Sequence, residues 1–375
     1  MTVASNPQHN LAEVVKHFKI EGKFIEAMPY GSGHINDTYL SQFSTDAGQQ
    51  KYIHQRINHN IFKQPEQLME NIYRVTDHLR KKILAAGGDA DRQCLTLVPA
   101  TDNQCFYRSD EGNYWRTYLF IDDARTYDLI ETPDHLRSAG LAFGRFQQML
   151  ADLPGEPLHE TIPMFHCTPN RVRLLENSIF KDVCNRAKHV RKEIDFALDR
   201  KDEMGLLARM LEQGRLPLRV THNDTKLNNV MIDNDSGKAI CVIDLDTVML
   251  GSALYDFGDM IRTGITTAKE DEKDLSKVML SMPMFEALAR GYCEGAGDFL
   301  TQAEIKHLVF AGKLITYTIG VRFLTDYLCG DVYFKVHNPS HNLDRCRNQF
   351  KLVEEIEANY ETMQKIVDGC LGRRS

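Results

Sequence analysis

The chain has 375 residues, of which 42% are hydrophobic and 26% charged, and 45 Lys and Arg against 52 Asp and Glu give a formal net charge of −7. This length allows two lobes with a large core, and the composition is typical of a globular protein. The negative balance argues against nucleic acid or an anionic membrane surface as the main partner. The nine cysteines are scattered without Cys-x-x-Cys spacing, which predicts reduced thiols and no metal or redox motif.

Neither the N-terminal residues nor the most apolar segment predicts export or a membrane span. Residues 1–10 are polar and lack the apolar core of a signal peptide. The segment 309–328 is apolar, but it contains Lys313 and Arg322, so we do not expect it to cross a membrane. We therefore expect a cytoplasmic protein without a membrane partner. The sequence does not predict its oligomeric state.

The first 120 residues predict a small sheet with two helices. The helices are expected at 11–18 and 65–84, and Gly87 and Gly88 end the second one. Runs of apolar and β-branched residues between turn residues predict strands that form a sheet of about five. These runs lie at 39–43, 52–57, 95–99, 104–108 and 114–120, and residues 24–28 lead into the loop that precedes the first of them.

After residue 125 the pattern becomes mostly helical. We interpret residues 121–125 as a hinge between an N-terminal lobe, 1–120, and a C-terminal lobe, 126–375. The expected fold class is therefore α+β, with a small antiparallel sheet lobe and a larger, mostly helical lobe. The helices predicted in the second lobe lie at 133–150, 172–198, 275–292, 303–328 and 343–370.

Residues 220–246 have the spacing of a kinase catalytic loop followed by a metal loop. Asp224, Lys226, Asn229 and Asp244 fall within twenty-one residues. Phosphoryl transfer needs an acidic group to orient and deprotonate a hydroxyl, oxygen ligands for magnesium on the nucleotide, and a cation to offset charge on the phosphoryl group. We therefore predict Asp224 as the base, Lys226 as the γ-phosphate cation, Asn229 and Asp244 as metal ligands, and ATP and Mg²⁺ as cofactors.

Short strands are expected to position these groups. Val230 and Ile232 begin a hairpin, residues 233–237 form its turn, and the strand 239–243 delivers Asp244. His222 is expected to hold the loop by hydrogen-bonding backbone. Taken singly, Asp224 has the simpler interpretation of a turn former and Lys226 that of a solvated surface lysine.

A literal Asp256-Phe257-Gly258 resembles the triplet that carries the metal-binding Asp of protein kinases. Asp256 lies 32 residues after Asp224, whereas Asp244 lies 20 residues after it and follows a strand. We therefore predict Asp244 as the metal ligand. Asp256 is expected to anchor the start of a helix or the backbone of the loop.

The N-terminal loop offers a second nucleotide contact. Gly31, Ser32 and Gly33 precede a strand, where a kinase covers ATP phosphates with backbone amides; without the downstream motif they would indicate an ordinary turn. The strand 52–57 has Gln55 or Arg56 where protein kinases have a phosphate-binding lysine. Either Arg56 substitutes for that lysine, with Glu66 or Glu70 as its partner, or magnesium and Lys226 hold the phosphates.

The motifs carry a family resemblance. The residues 222–224, Asn229 and 243–246 resemble the aminoglycoside phosphotransferase and choline kinase superfamily of small-molecule kinases, which have a protein-kinase-like two-lobe fold. The longer runs 224–230, 241–249 and 256–262 are similar to the N-acetylhexosamine 1-kinases, which phosphorylate the anomeric hydroxyl of N-acetylglucosamine and N-acetylgalactosamine. The likeness extends to residues 31–38 and 55–58 and to the helix around Arg322.

This resemblance implies roles for four further residues. His34 and Asp37 would reach sugar hydroxyls, and Arg322 and Tyr333 would bind the sugar and its N-acetyl group. Their simpler interpretations are a turn cap for Asp37, a structural ion pair for Arg322 and a packed aromatic for Tyr333.

Other acceptors and a non-enzymatic function stay open as alternatives. A choline or ethanolamine kinase would need an aromatic cage, which the single Trp115 does not supply. An aminoglycoside kinase would need a wall of carboxylates, but residues 334–347 are basic and His-rich. A different sugar as the acceptor belongs to the same alternative. The missing strand lysine would also suit a catalytically silent, kinase-like binding protein.

Overall fold

The computed structural model describes residues 9–31, 35–127, 132–266 and 268–371. These residues divide into two compact units. The first extends to Ala124 and includes Leu158–Ile162, and the second comprises Arg125–Pro157 and the chain from Pro163 onward. The two-residue strand β6, Ala124–Arg125, falls where the chain passes from the first unit to the second. The hinge predicted at 121–125 stays a prediction.

The first unit contains a five-stranded antiparallel sheet, as the sequence predicts. Its strand order is β1-β2-β3-β5-β4. The segment 95–99 was expected to be a strand, but it forms only an isolated bridge from Leu97 to Tyr118. Pro99 has no backbone N–H to continue that pairing. The strands are β1 Lys23–Pro29, β2 Asp37–Thr45, β3 Gly48–Ile57, β4 Tyr107–Arg108 and β5 Tyr114–Leu119.

The helices of the first unit are α1 Leu11–Val14, α2 Pro65–Ala85 and α3 Ala90–Gln93. The predicted helix 65–84 corresponds to α2 within one residue. Gly87 ends it in the left-handed region at φ 76, and the Gly88 N–H donates to the Ile83 carbonyl at 2.9 Å. On the sheet, Phe18, Phe43 and Trp115 belong to one buried apolar cluster that α1 also joins.

A buried histidine joins three strands of this sheet. His54 on β3 is fully buried, and its ring nitrogens hydrogen-bond Ser41 Oγ on β2 at 2.6 Å and Thr117 Oγ1 on β5 at 2.8 Å. Burial lowers the pKa of His54 to about 4, because a charged imidazolium would lose its hydration there. The sheet therefore holds His54 in its neutral form at physiological pH.

The stability of the first unit should fall on acidification through His54. Below its ordinary pKa of 6.5 the unfolded chain binds a proton that the folded sheet excludes until about pH 4, so acid favours the unfolded state. The free energy of unfolding of the wild type should fall by up to about 3 kcal/mol between pH 7 and pH 4 through this residue. His54→Gln should lack that part of the pH dependence. Urea unfolding followed by the fluorescence of Trp115, the one tryptophan, measures the difference; parallel pH profiles for the two proteins would contradict it.

The second unit is mostly helical, with two short antiparallel strand pairs, β7 with β10 and β8 with β9. Its strands are β7 Arg219–Thr221, β8 Val230–Asp233, β9 Ala239–Val242 and β10 Met249–Gly251. Its helices are α4 Pro133–Met149, α5 Thr168–Lys181, α6 Arg191–Met204, α7 Leu206–Glu212, α8 Ala253–Gly264, α9 Met282–Ala296, α10 Gln302–Lys306, α11 Leu308–Cys329 and α12 His341–Leu371.

Three helices expected from the sequence are shorter or divided. The predicted 172–198 is split into α5 and α6, because Asp182 ends α5 in the left-handed conformation at φ 35. The predicted 275–292 begins as a separate 3₁₀ turn, and α9 starts at Met282 with a proline in its first turn. The predicted 303–328 is divided into α10 and α11 at His307.

Glycines bring α4 and α9 into direct backbone contact. A Cβ on Gly144 of α4 would lie 2.6 Å from the Tyr292 carbonyl oxygen of α9, and one on Gly140 would lie 2.8 Å from that of Leu288. A Cβ on Gly291 would overlap the carbonyl oxygen of Arg137. Since real Cβ atoms are not found at such distances, larger residues would force the two helices apart. This pair carries side chains that support the candidate site.

The apolar segment 309–328 lies in α11. By length and composition α11 could cross a membrane, but 83% of its most apolar 18-residue window is buried within the protein. Lys313 is buried on this helix and pairs with Glu203 at 2.8 Å and Glu357 at 3.0 Å. The helix therefore resembles the core helix of a globular unit.

Candidate active site

The loop 222–229 follows β7 and leads into the hairpin of β8 and β9. His222 joins the loop to the residue that follows β9. Its Nε2 hydrogen-bonds the Ile243 carbonyl at 2.9 Å, and its Nδ1 accepts from the Asp224 N–H at 3.3 Å. The Ile243 N–H donates to the Asn229 carbonyl at 2.9 Å. His222 thus holds backbone, as the sequence suggests, and brings the end of β9 to the loop.

Asp256 holds the same loop from the other side. This carboxylate, in the first turn of α8, accepts from the backbone N–H groups of His222 at 2.9 Å and Asn223 at 2.7 Å. Gln147 Nε2 on α4 donates to it at 2.6 Å, and the Tyr292 hydroxyl on α9 donates to Gln147 Oε1 at 2.6 Å. Burial raises the pKa of Asp256, whereas the three N–H donors favour its ionised form. The Asp-Phe-Gly triplet therefore anchors the loop.

Two residues of this region have strained backbones. Asn223 has φ 65 and Asp244 has φ 60, although neither is glycine. Such conformations cost about 1 kcal/mol or more and persist only where surrounding contacts impose them. Asn223 is held by its side chain, which donates to the Thr247 carbonyl at 2.9 Å. The turn at Asn223 presents the next residue, Asp224, and the turn at Asp244 leaves that side chain exposed at the end of β9.

Asp224, Lys226 and Asn229 are brought together in one cluster. Lys226 Nζ lies 3.1 Å from Asp224 Oδ2. Asn229 Nδ2 donates to the Asp224 carbonyl oxygen at 2.8 Å and to Asp224 Oδ2 at 3.2 Å. The carboxylate is therefore oriented by one cation and one amide, both at Oδ2, and among the described residues no group donates to Oδ1, which can accept from a hydroxyl.

Electrostatics keep this cluster charged at neutral pH. Burial alone would raise the pKa of Asp224, but the positive charges of Lys226 and Arg262 outweigh it, and the pKa of Asp224 is lowered overall. The adjacent Asp224 carboxylate in turn raises the pKa of Lys226. A carboxylate that is ionised at neutral pH can accept a proton from a hydroxyl, and a permanent ammonium can offset phosphoryl charge.

The donor set also fits magnesium. The Asn229 amide nitrogen is used toward Asp224, and among the described residues no group donates to the Asn229 amide oxygen. Asp244 is exposed, and its charge raises the pKa of Lys226, so it lies near the same cluster. One carboxylate and one amide oxygen are ligands that Mg²⁺ prefers when nucleotide phosphates supply others.

The two residues expected to bind an N-acetylated sugar lie together in the second unit. Arg322 of α11 donates to the Tyr333 hydroxyl at 3.4 Å, and its guanidinium lies 5.6 Å from the centre of the Tyr333 ring. Asp326 fixes the segment after α11, because it accepts from the backbone N–H groups of Val332, Tyr333 and Phe334 at 2.8–2.9 Å.

The predicted residues of the first unit form a separate group. Asp37 on β2 and Arg56 on β3 pair directly, with Arg56 Nε donating to Asp37 Oδ2 at 2.6 Å. Asp37, which the sequence predicts to bind the sugar, and Arg56, which it predicts to bind phosphate, are thus partners of one another. Gly31 is exposed at φ 78, as a glycine turn requires. Ser32, Gly33 and His34 lie outside the described residues.

The partners proposed for the phosphate anchor are used elsewhere. Glu66 accepts from the Tyr114 hydroxyl at 3.3 Å, and Glu70 lies 2.9 Å from His159 Nε2. Besides Asp37, Arg56 contacts Asn113 Oδ1 at 3.3 Å. The expectation that Glu66 or Glu70 pairs with Arg56 is therefore wrong: Asp37, directly opposite on the neighbouring strand, takes that place.

Comparison with known proteins identifies the family. A family model described as a phosphotransferase enzyme family matches residues 26–300, well over half of the chain. The chain belongs to this phosphotransferase family.

Solved structures confirm the fold. The phosphotransferase is similar to a spectinomycin phosphotransferase in complex with ADP and spectinomycin, with a TM-score of 0.56 and 15% identity over 94% of this chain and 98% of that one. It is also similar to choline kinase from Cryptosporidium parvum Iowa II, with a TM-score of 0.57 and 13% identity over 96% of this chain and 97% of that one. An aminoglycoside phosphotransferase from Alicyclobacillus acidocaldarius has a TM-score of 0.60 and 12% identity over 98% of each chain. The protein-kinase-like fold predicted from the sequence is confirmed, and the family model confirms that the chain is a phosphotransferase.

The site of this phosphotransferase includes residues that the sequence reasoning left without a role. In the described part of the chain, Nε of Arg171, at the start of α5, is buried without a hydrogen-bond partner; burial lowers the pKa of Arg171, and the positive charge of Arg322 lowers it further. His166 is buried and donates to the Asn223 carbonyl at 2.7 Å. Asp259 and Arg262 form a buried pair on α8. The spacing of Asp259 and Arg262, an acid and a base three residues apart in an apolar helix, could have indicated a buried ion pair. Nothing in the sequence marks Arg171 or His166.

The metal-loop assignment of the phosphotransferase predicts opposite outcomes for two aspartates. Asp244→Ala should abolish magnesium-dependent nucleotide binding with little change in thermal unfolding, because the side chain is exposed and offers magnesium a carboxylate ligand. Asp256→Ala should lower the free energy of unfolding by about 3 kcal/mol, because it leaves three buried donors unpaired. Calorimetric titration of ADP with and without magnesium, together with thermal unfolding, separates the two effects. Asp235→Ala, an exposed position on the same hairpin, is the control. Magnesium coordinated by Asp256 would reverse the assignment.

Proposed function

We propose that this phosphotransferase is an ATP- and magnesium-dependent kinase of the anomeric C1 hydroxyl of an N-acetylhexosamine, acting in the cytoplasm. The observation that carries the phosphoryl-transfer part is the cluster in which Lys226 Nζ lies 3.1 Å from Asp224 Oδ2 and Asn229 donates to the same carboxylate. The sugar part is supported by the motif likeness and by the contact between Arg322 and Tyr333.

In the proposed reaction the C1 oxygen attacks the γ-phosphorus of ATP. A bond forms between that oxygen and phosphorus, the bond from phosphorus to the β–γ bridging oxygen breaks, and ADP leaves. Asp224 orients the hydroxyl and takes its proton, since its pKa is held low enough for it to be ionised beforehand. Lys226 offsets charge on the transferred group. The products are ADP and the sugar 1-phosphate.

Magnesium would be held by Asn229 and Asp244 and would supply positive charge to the nucleotide phosphates. The nucleotide contacts of Gly31, Ser32 and Gly33 and the sugar contact of His34 stay predictions. Because Arg56 is paired with Asp37, we favour the alternative in which magnesium and Lys226 carry most of the phosphate charge. Asp37 would then bind sugar while it also holds Arg56.

A neutral acceptor suits the charges near Arg322 better than an amino alcohol does. Among the described residues no carboxylate forms an ion pair with Arg322 or Arg171, and three aromatic rings lie within 5.7 Å of the Arg322 guanidinium. Choline, ethanolamine and aminoglycosides are cations at neutral pH and would be repelled there. The carbonyl oxygen of an N-acetyl group can accept from both arginines.

The silent binding protein is the weaker alternative. A chain without catalysis would have no need for an ionised carboxylate beside an ammonium on a strained, heavily hydrogen-bonded loop. The missing strand lysine does not argue for inactivity, because Lys226 supplies a cation in the second unit.

The first test of this function concerns the base. Asp224→Asn should lower turnover by about 10²- to 10⁴-fold and leave nucleotide affinity nearly unchanged, because the lost group acts on the acceptor hydroxyl. Steady-state kinetics and nucleotide titration measure the two quantities. Asp233→Asn, on the neighbouring strand β8, is the control and should keep normal turnover. Near-normal turnover of Asp224→Asn would refute the mechanism.

The second test concerns the acceptor. A free N-acetylhexosamine should be phosphorylated at C1, and its 1-O-methyl glycoside should be inert because the reacting hydroxyl is blocked. Arg322→Ala should raise the sugar KM by about 10-fold or more and change the ATP KM little, since a site built to hydrogen-bond an amide loses its partner. Arg200→Ala is the matched control: this arginine is partly buried and lies 3.7 Å from the centre of the Phe196 ring.

Phosphorus and proton NMR of the product locate the phosphate. Phosphate on C6, or preference for choline over every sugar, would reject the N-acetylhexosamine assignment and leave the phosphotransferase assignment intact.

A further inference from the structure

Helix α8 places three charged residues one turn apart: Asp256, Asp259 and Arg262. Residues three apart lie on one face, about 4.5 Å apart along the axis. The catalytic loop runs beside this helix, because Thr225 Oγ1 donates to the Asp256 carbonyl at 2.6 Å and a Cβ on Gly264 would lie 3.3 Å from Leu227 Cδ1. Asp259 lies between these two contacts, alongside the stretch that contains Lys226.

The carboxylate of Asp259 is held firmly on one side and unsatisfied on the other. It is 4% exposed, and Oδ1 accepts from Arg262 Nε at 2.8 Å. Arg262 is fixed in turn by Glu270, which accepts from NH1 at 2.8 Å. Oδ2 of Asp259 is buried, and within the described part of the chain no group donates to it. A buried acceptor without a donor costs about 1–3 kcal/mol and is rare, so this oxygen points to a bound ligand.

The surroundings of Asp259 limit the chemistry of that ligand. Asp259 borders the proposed reaction site, because the residues that follow Asp224 and Lys226, Thr225 and Leu227, contact α8 on either side of it. Arg262 already pairs with this carboxylate through Oδ1, so Oδ2 does not need a further cation as its partner. A neutral hydroxyl can donate to the free oxygen without adding charge.

We propose that Asp259 Oδ2 accepts a hydrogen bond from a second hydroxyl of the acceptor, which makes Asp259 a substrate-binding residue that selects polyols over simple alcohols. The inference rests on the proposed function and deepens it, because a sugar has further hydroxyls near the reacting one whereas choline has none. Arg262 is a positioning residue: it fixes Oδ1 and thereby aims Oδ2.

A panel of deoxy sugars tests the proposal. The 3-, 4- and 6-deoxy forms of N-acetylglucosamine are compared with the parent sugar in the wild type, in Asp259→Asn and in Glu357→Gln. Glu357→Gln is the control, because Glu357 of α12 is a partly buried carboxylate that pairs with Arg200 of α6, away from α8. In the wild type one deoxy sugar should lose about 10- to 100-fold in kcat/KM. Asp259→Asn should lose a similar factor with the parent sugar, while its ATP KM stays within about twofold.

The decisive comparison is the penalty for that deoxy sugar in Asp259→Asn, which should shrink to within about threefold, while Glu357→Gln keeps the full penalty. If the penalty persists in Asp259→Asn, or if the ATP KM of this variant rises, Asp259 serves the nucleotide or the loop. That outcome would overturn the inference and leave the proposed function intact. Equal rates for all deoxy sugars in the wild type would overturn it even if Asp259→Asn does not fold. Turnover of choline or ethanolamine without turnover of any sugar would overturn both the inference and the proposed function.

Discussion

The carboxylate of Asp256 accepts three N–H donors, and the position of the loop 222–229 depends on this interaction. Two donors are the backbone N–H groups of His222 and Asn223, which turn toward it because Asn223 adopts a positive φ. The third is Gln147 of α4, itself bound by Tyr292 of α9. Those two helices meet backbone to backbone through glycines. The geometry around Asp224 is therefore fixed by the packing of two helices far away in sequence, and burial of the carboxylate makes the hydrogen bonds expensive to lose.

This support explains how a short, strained loop can be rigid. Phosphoryl transfer gains most from groups that are already oriented when charge develops. His222 joins the loop to the end of β9, Thr247 Oγ1 donates to the His222 carbonyl at 2.7 Å, and Asn229 donates to Asp224. The side chains of His222, Thr247 and Asn229 thus hold backbone or the carboxylate of Asp224 itself. The literal Asp-Phe-Gly triplet shows that a motif can keep its letters and have a different physical role, since a buried carboxylate with three N–H partners has no room for a solvated metal ion.

Local sequence patterns predicted what depends on local chemistry. The hairpin of β8 and β9, the helix α2 and the five-stranded sheet follow from periodicity and turn residues, and the spacing of Asp224, Asn229 and Asp244 predicted their proximity to one hairpin. Long-range pairings could not be read in this way. The pairing of Asp37 with Arg56 depends on the register between β2 and β3, and the pairing of Gln147 with Asp256 joins residues 109 apart. The division of 172–198 into two helices depends on the left-handed backbone at Asp182, a conformation that aspartate adopts in some contexts only.

The charge balance around Asp224 changes during the proposed reaction in a direction that favours transfer. Before transfer, the ionised Asp224 neutralises Lys226 at 3.1 Å, and each shifts the pKa of the other toward its charged form. When Asp224 takes the proton of the acceptor hydroxyl, Lys226 loses its counter-charge as negative charge grows on the phosphoryl group. The ammonium then has a stronger attraction for the phosphoryl oxygens than it had in the resting site. The interaction is thus stronger in the transition state than in the ground state. A lysine without the neighbouring carboxylate would bind both states more equally and would accelerate the reaction less.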